Sequence, residues 1–219
     1  MNAAIEHLAV RVPIGLAASL DGDLSMPPEP TGLVVFAHGS GSSRHSPRNR
    51  YVAEVLNDHS LGTLLVDLLT SAEEREDEYN ARLRFDIALL TDRVVAIVDW
   101  LAGQKQAAGH TLGVFGASTG AAAALLAAVH RPKLVKAVVS RGGRPDLAGA
   151  DAALVQAPTL LIVGGRDIEV LQMNREAKAL MRCENKLEIV PGATHLFEEP
   201  GTLATAAKLA ADWFATHLK

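Results

Sequence analysis

The sequence predicts an α/β fold built on a mostly parallel central sheet with helices on both faces. Two observations carry this. Short continuous apolar runs such as LVVF and TLLIV read as strands buried on both sides. Between them lie segments whose apolar residues recur at helical spacing. The alternation spans the 219 residues with no internal repeat and no low-complexity linker, which predicts one domain over 1–219.

The elements follow in order. LAVRVPI and LAASLDGDLSM predict two early antiparallel strands, with Asp21-Gly22 as a bend. PPEPTG is a turn cluster, and LVVFAHG is the first doubly buried strand. Residues 49–58 predict a helix with Val52, Val55 and Leu56 on one side. GTLLVDLL is the next strand. From Asp86, the positions Ile87, Leu90, Val94, Ile97, Val98 and Leu101 repeat with helical period. HTLGVFG is a strand, TGAAAALLAAVH a helix that stops before Pro132, and LVKAVVSRGG a strand. TLLIVGGRD, VLQMNREAKALM, KLEIVPGATH and LATAAKLAADWFATHL complete the strand–helix series. One stretch, residues 70–84, is strongly charged. It predicts a solvated helix or surface excursion, with a small cap over the site as the functional alternative.

Composition narrows the function classes. Hydrophobic residues make up 48% and charged residues 21% of the chain, the balance of a globular protein. A net charge of −4 argues against a nucleic-acid partner. No run has the length of apolar sequence that a membrane span requires. The start, MNAAIEHLAVRV, lacks the basic and long apolar segments of a secretory signal. The single Cys183 excludes a disulfide framework and fits a reducing, cytoplasmic compartment.

Ligands of open parallel sheets bind at the carboxyl ends of the strands. There the sequence delivers His38-Gly39-Ser40-Gly41, Asp67, Ser118, Arg141, Asp167 and His195. Serine, aspartate and histidine arrive from three strands in the order Ser118, Asp167, His195. A serine hydroxyl needs a base to take its proton, and neutral imidazole serves near pH 7. A carboxylate behind the imidazole fixes its tautomer. Ser118 lies in FGASTG between a predicted strand and a predicted helix, where flanking glycines permit a tight corner. The Thr119 N–H, at the start of that helix, is placed to bind an oxyanion. A second donor is expected from HGSGSS, with the Ser40 N–H preferred over those of Gly39 and Gly41.

The pieces FAHGSGSSRHSPRN, GVFGASTGAAAAL, VVSRGGRPDLA, LLIVGGRD and PGATHLFEEPG resemble an α/β hydrolase, and within that superfamily the small dienelactone-hydrolase-related esterases. The likeness implies Ser118 as nucleophile, Asp167 as acid and His195 as base. Dienelactone hydrolases carry a cysteine nucleophile. Serine at 118 departs from that and favours general ester hydrolysis.

Alternatives remain open in the sequence. Asp146, one strand earlier, is a rival acid, and Asp167 could instead cap the following helix. Arg44 and Arg141 are candidates to clamp an anionic substrate group, against a reading of the arginine cluster as solvated or paired with carboxylates. Cys183 reads as a small buried hydrophobe, and His38 as a support for its own loop. The resulting expectation is a serine carboxylesterase for small esters, needing no cofactor or metal, since little chain remains for a large apolar lid. A lactone hydrolase using arginine, and a non-catalytic receptor on the same fold, are the other two readings. Oligomeric state is not encoded legibly.

Overall fold

The computed structural model describes residues 4–15 and 17–219. Its strands are β1 (Glu6–Ile14), β2 (Ala18–Met26), β3 (Gly32–Ala37), β4 (Leu61–Val66), β5 (Leu112–Ala117), β6 (Val135–Arg141), β7 (Thr159–Gly164) and β8 (Asn185–Val190). They form one sheet in the order β1-β2-β4-β3-β5-β6-β7-β8. β1 and β2 pair antiparallel, β2 runs antiparallel to β4, and β3 to β8 are mutually parallel. β3, β4, β5 and β7 are buried at every position, which is why they read as unbroken apolar runs.

The helices are α1 (Pro47–Asp58), α2 (Ser71–Asn80), α3 (Ile87–Ala102), α4 (Gly120–His130), α5 (Ile168–Leu180) and α6 (Thr202–His217). α3 and α4 cover one face, burying Val94, Ile97, Leu101 and Leu125 with Val114 and Val138 of the sheet. α1 and α6 cover the other, burying Val52, Leu56, Ala207 and Phe214 against Phe36, Phe115 and Ile162. At roughly 25 cal/mol per Å² of apolar area removed from water, these two layers supply most of the drive to fold. Ala121 to Ala124 are fully buried, so α4 lies close against the strands.

One local expectation is corrected. Asp21-Gly22 is not a bend: both residues sit inside β2, paired with Arg11 and Val10. A Cβ on Gly22 would lie 3.1 Å from a Val10 methyl and 3.2 Å from Leu64, so the glycine relieves crowding rather than making a turn. The chain instead reverses near Gly15, whose φ is +69°. Leu16, where the second strand was expected to begin, lies outside the described residues.

The charged stretch after β4 is ordered helix. Thr70 accepts from the Glu73 N–H while Glu73 accepts from the Thr70 N–H, a reciprocal cap that starts α2. Asp77 is buried and ties the end of the excursion down: it accepts from the Leu83 and Arg84 N–H groups and pairs with the Arg84 guanidinium. Burial opposes its charge, but these bonds hold the Asp77 carboxyl below the usual range.

Candidate active site

Ser118 sits between β5 and α4 with φ +50°, a left-handed conformation that a serine adopts at a cost of about 1 kcal/mol. Its glycine neighbours are required by space. A Cβ on Gly120 would lie 2.2 Å from the Ala37 carbonyl oxygen, and one on Gly116 would lie 2.5 Å from the Ala121 Cα. The corner is held from β6: the Ser118 N–H donates to the Arg141 carbonyl at 3.4 Å, and the Arg144 N–H donates to the Ser118 carbonyl at 3.0 Å. The hydroxyl is thus presented by a crowded, hydrogen-bonded backbone.

Asp167 follows β7 and stands at the N-cap position of α5, yet its side chain makes no capping bond. Its Oδ2 accepts instead from His195 Nδ1 at 2.6 Å. This donation places the imidazole proton on Nδ1 and leaves Nε2 as the acceptor nitrogen. His195 is carried by the loop after β8. That loop is pinned by the Arg166 N–H on the Ala193 carbonyl, 2.9 Å, and by the Thr194 N–H on Glu199 Oε2, 3.0 Å. Ser118 and His195 line one cavity of about 270 Å³, with Ser40, Arg48, Asn49 and Arg141 in its walls. A Ser118–His195 hydrogen bond is not formed among the described residues. The rival Asp146 is turned away and holds Arg144 in a two-point pair at 2.8 and 2.7 Å.

The oxyanion candidates divide. Thr119 is buried directly behind Ser118 at the start of α4. The Ser40 N–H, however, already donates to Thr119 Oγ1 at 2.9 Å. The Ser40 N–H, expected as the second donor, is thus engaged here: the loop after β3 directs it at the nucleophile corner itself. His38 fixes the other end of the same peptide, because its Nδ1 donates to the Gly39 carbonyl at 2.9 Å while its Nε2 accepts from the Leu68 N–H at 3.0 Å. Burial pushes the His38 pKa below its ordinary value, although the bond to Gly39 opposes this.

The two arginine candidates also divide. Arg44 does not face the cavity. It pairs with Asp67 through its guanidinium and its backbone N–H (2.7 Å), and lies 3.6 Å from Asp23. Two carboxylates pair its charge, so the clamp expected there is corrected to a loop tether. Arg141 does reach the cavity. It is 8% exposed, donates from Nη2 to Asn49 Oδ1 at 3.3 Å, and has no carboxylate partner among the described residues. Burial and the nearby Arg48 lower its pKa to about 10. Cys183 is half-buried beside Thr159, and burial pushes its thiol upward, away from reactivity.

Sequence reading missed Asn49, a buried amide on α1, and Phe197, whose ring lies 5.8 Å from the Arg141 guanidinium carbon. Both lie within the stretches FAHGSGSSRHSPRN and PGATHLFEEPG, but neither residue type suggested a role at the site by itself.

An eight-stranded, mostly parallel sheet with a serine corner after β5 and a histidine loop after β8 defines the α/β-hydrolase class. Residues 65–218 match the model of the dienelactone hydrolase family, and the chain belongs to that family. The crystal structure of a dienelactone hydrolase from Anabaena variabilis is similar over 98% of this chain and 99% of that one, at 53% identity and a TM-score of 0.96. Est1E from Butyrivibrio proteoclasticus shares the fold alone, with 16% identity, a TM-score of 0.76 and coverage of 94% and 99%. Curated relatives from two strains of Mycobacterium tuberculosis, named provisionally as phosphoribosyl transferases, are 59% identical over 197 residues, which is 90% of this chain. The chain spans only 44% of those relatives' length. Among the described residues no helix is long and apolar enough to cross a membrane.

Proposed function

We propose that the protein is a serine hydrolase of small carboxylic esters, with Ser118 as nucleophile, His195 as base and Asp167 as its orienting acid. The observation that carries this is the 2.6 Å Asp167–His195 bond on a cavity shared with the strained Ser118. His195 Nε2 takes the Ser118 proton as the hydroxyl attacks the ester carbonyl. The N–H of Thr119 stabilises the oxyanion. The imidazolium then protonates the departing alcohol, and a water activated by the same nitrogen releases the acid. The Ser40 N–H joins as second donor if substrate draws it off Thr119 Oγ1. The phosphoribosyl-transferase name belongs to relatives of which this chain spans under half, and the residues assembled here support hydrolysis. The single cysteine supports a reducing, cytoplasmic setting.

A second reading, hydrolysis of lactones bearing a carboxylate, is favoured by one observation. Arg141 and Arg48 both wall the cavity, and the Arg141 charge has no acidic partner among the described residues.

The test is hydrolysis of p-nitrophenyl acetate, butyrate and octanoate, with intact mass after a fluorophosphonate probe, for wild type and Ser118→Ala. Turnover favouring the short chains and a single adduct, both lost in the variant, are expected. No turnover and no adduct would leave a ligand-binding protein on a hydrolase fold.

A further inference from the structure

Arg141 is an unusual residue to bury. Its Nε and Nη1 are closed off from solvent and lack hydrogen-bond partners among the described residues. An unpaired internal charge is ordinarily costly, and the neighbouring Arg48 repels it. What surrounds it is aromatic: the guanidinium carbon lies 6.0 Å from the Phe115 ring centre and 5.8 Å from that of Phe197. Those rings belong to the two halves of the site. Phe115 is on β5, three residues before Ser118. Phe197, with φ +57°, is two residues after His195.

The backbone at the same position makes the same connection. The Arg141 carbonyl accepts from the Ser118 N–H. Gly142, with φ +52°, donates to Ile162 of the strand that delivers Asp167, at 2.7 Å. A Cβ on Gly142 would lie 3.1 Å from the His195 carbonyl oxygen. The exit of β6 therefore touches all three arms of the proposed triad.

We propose that Arg141 is a positioning residue: its guanidinium, stacked on Phe115 and Phe197 and bonded to Asn49, sets the approach of the His195 loop to Ser118. A flat cation suits this task because it can face two rings and still direct a hydrogen bond at an amide. With Nε and Nη1 enclosed, this role acts on the His195 loop and is distinct from a clamp on substrate. The inference rests on the serine-hydrolase reading.

The experiment compares Arg141→Met, Arg141→Lys and Phe197→Leu with wild type. Three readouts are taken: kcat and KM on neutral p-nitrophenyl butyrate, the rate of fluorophosphonate labelling, and Tm. Misplacement of a catalytic group by about 1 Å costs on the order of 100-fold. Arg141→Met is expected to lose about 10- to 100-fold in kcat and labelling rate on that scale, with little change in KM. Its Tm should hold or rise, because a buried charge is removed. Arg141→Lys should recover part of the rate, and Phe197→Leu should reproduce the loss should the methionine variant fail to fold. Unchanged neutral-ester kcat in Arg141→Met would overturn the proposal, as would a loss confined to esters bearing a carboxylate. Wild type that is neither labelled nor active would sink the hydrolase reading itself, which is a separate failure.

Discussion

Asp146 and Asp167 leave neighbouring strands of one sheet, and only the second meets His195. The first is held by Arg144, the second accepts a 2.6 Å bond from the imidazole. That difference gives a test at the scale of one side chain. Asp167→Asn, which keeps the shape but loses the charge that fixes the Nδ1–H tautomer, is expected to lower kcat/KM by about 10³- to 10⁴-fold. Asp146→Asn should leave ester hydrolysis within about twofold, since it loosens only a half-exposed pair that does not touch His195. Steady-state kinetics on one ester settle both. Sequence order and the family likeness favoured Asp167, with Asp146 as its rival, but the contact with His195 is not recorded in any local pattern. It depends on where the loop after β8 folds back.

At the scale of elements, the nucleophile corner is a packing problem solved by two glycines. β5, β3 and α4 converge so closely that any side chain at position 120 strikes the Ala37 and His38 carbonyl oxygens, at 2.2 and 2.5 Å. Those are backbone atoms in a fully buried strand and its exit, so they cannot yield cheaply. Gly120→Ala is expected to cost about 3 kcal/mol of stability, the upper end for overpacking, read as a lowered denaturation midpoint with unchanged m-value. The corner itself was readable as a strand, a serine between glycines, and a helix. The commitment of the Ser40 N–H to Thr119 Oγ1 was not, because residues 79 positions apart meet only through sheet order. Arg44 failed as a candidate for a similar reason. Its neighbours Asp23 and Asp67 come from β2 and the end of β4, adjacent strands that are distant in the chain.

At the scale of the whole molecule, the buried imidazole of His38 couples folding to pH. Burial lowers its folded pKa from 6.5, so the unfolded chain binds the proton more readily. The contribution is complete above about pH 6.5 and is lost as pH falls from there through the lowered folded value. Thermal unfolding is expected to show a Tm that declines below pH 6.5 in wild type. His38→Gln, though less stable at pH 8, should show a shallower decline over the same interval. An identical slope in both would remove His38 from this role.

The sequence by itself determined the alternation of strands and helices, the parallel sheet, and which residues reach its carboxyl edge. Those follow from local periodicity and short-range turn chemistry, which act within a dozen residues of chain. Tertiary structure alone decided which of the delivered groups are free and which are spent. Arg44 and the Ser40 N–H are engaged by partners from other elements and Asp146 by Arg144, while Arg141 lies near two rings without a carboxylate among the described residues. Charge pairing and hydrogen bonding act over a few ångströms in space, and that proximity is set by sheet order and loop return, which no local pattern records.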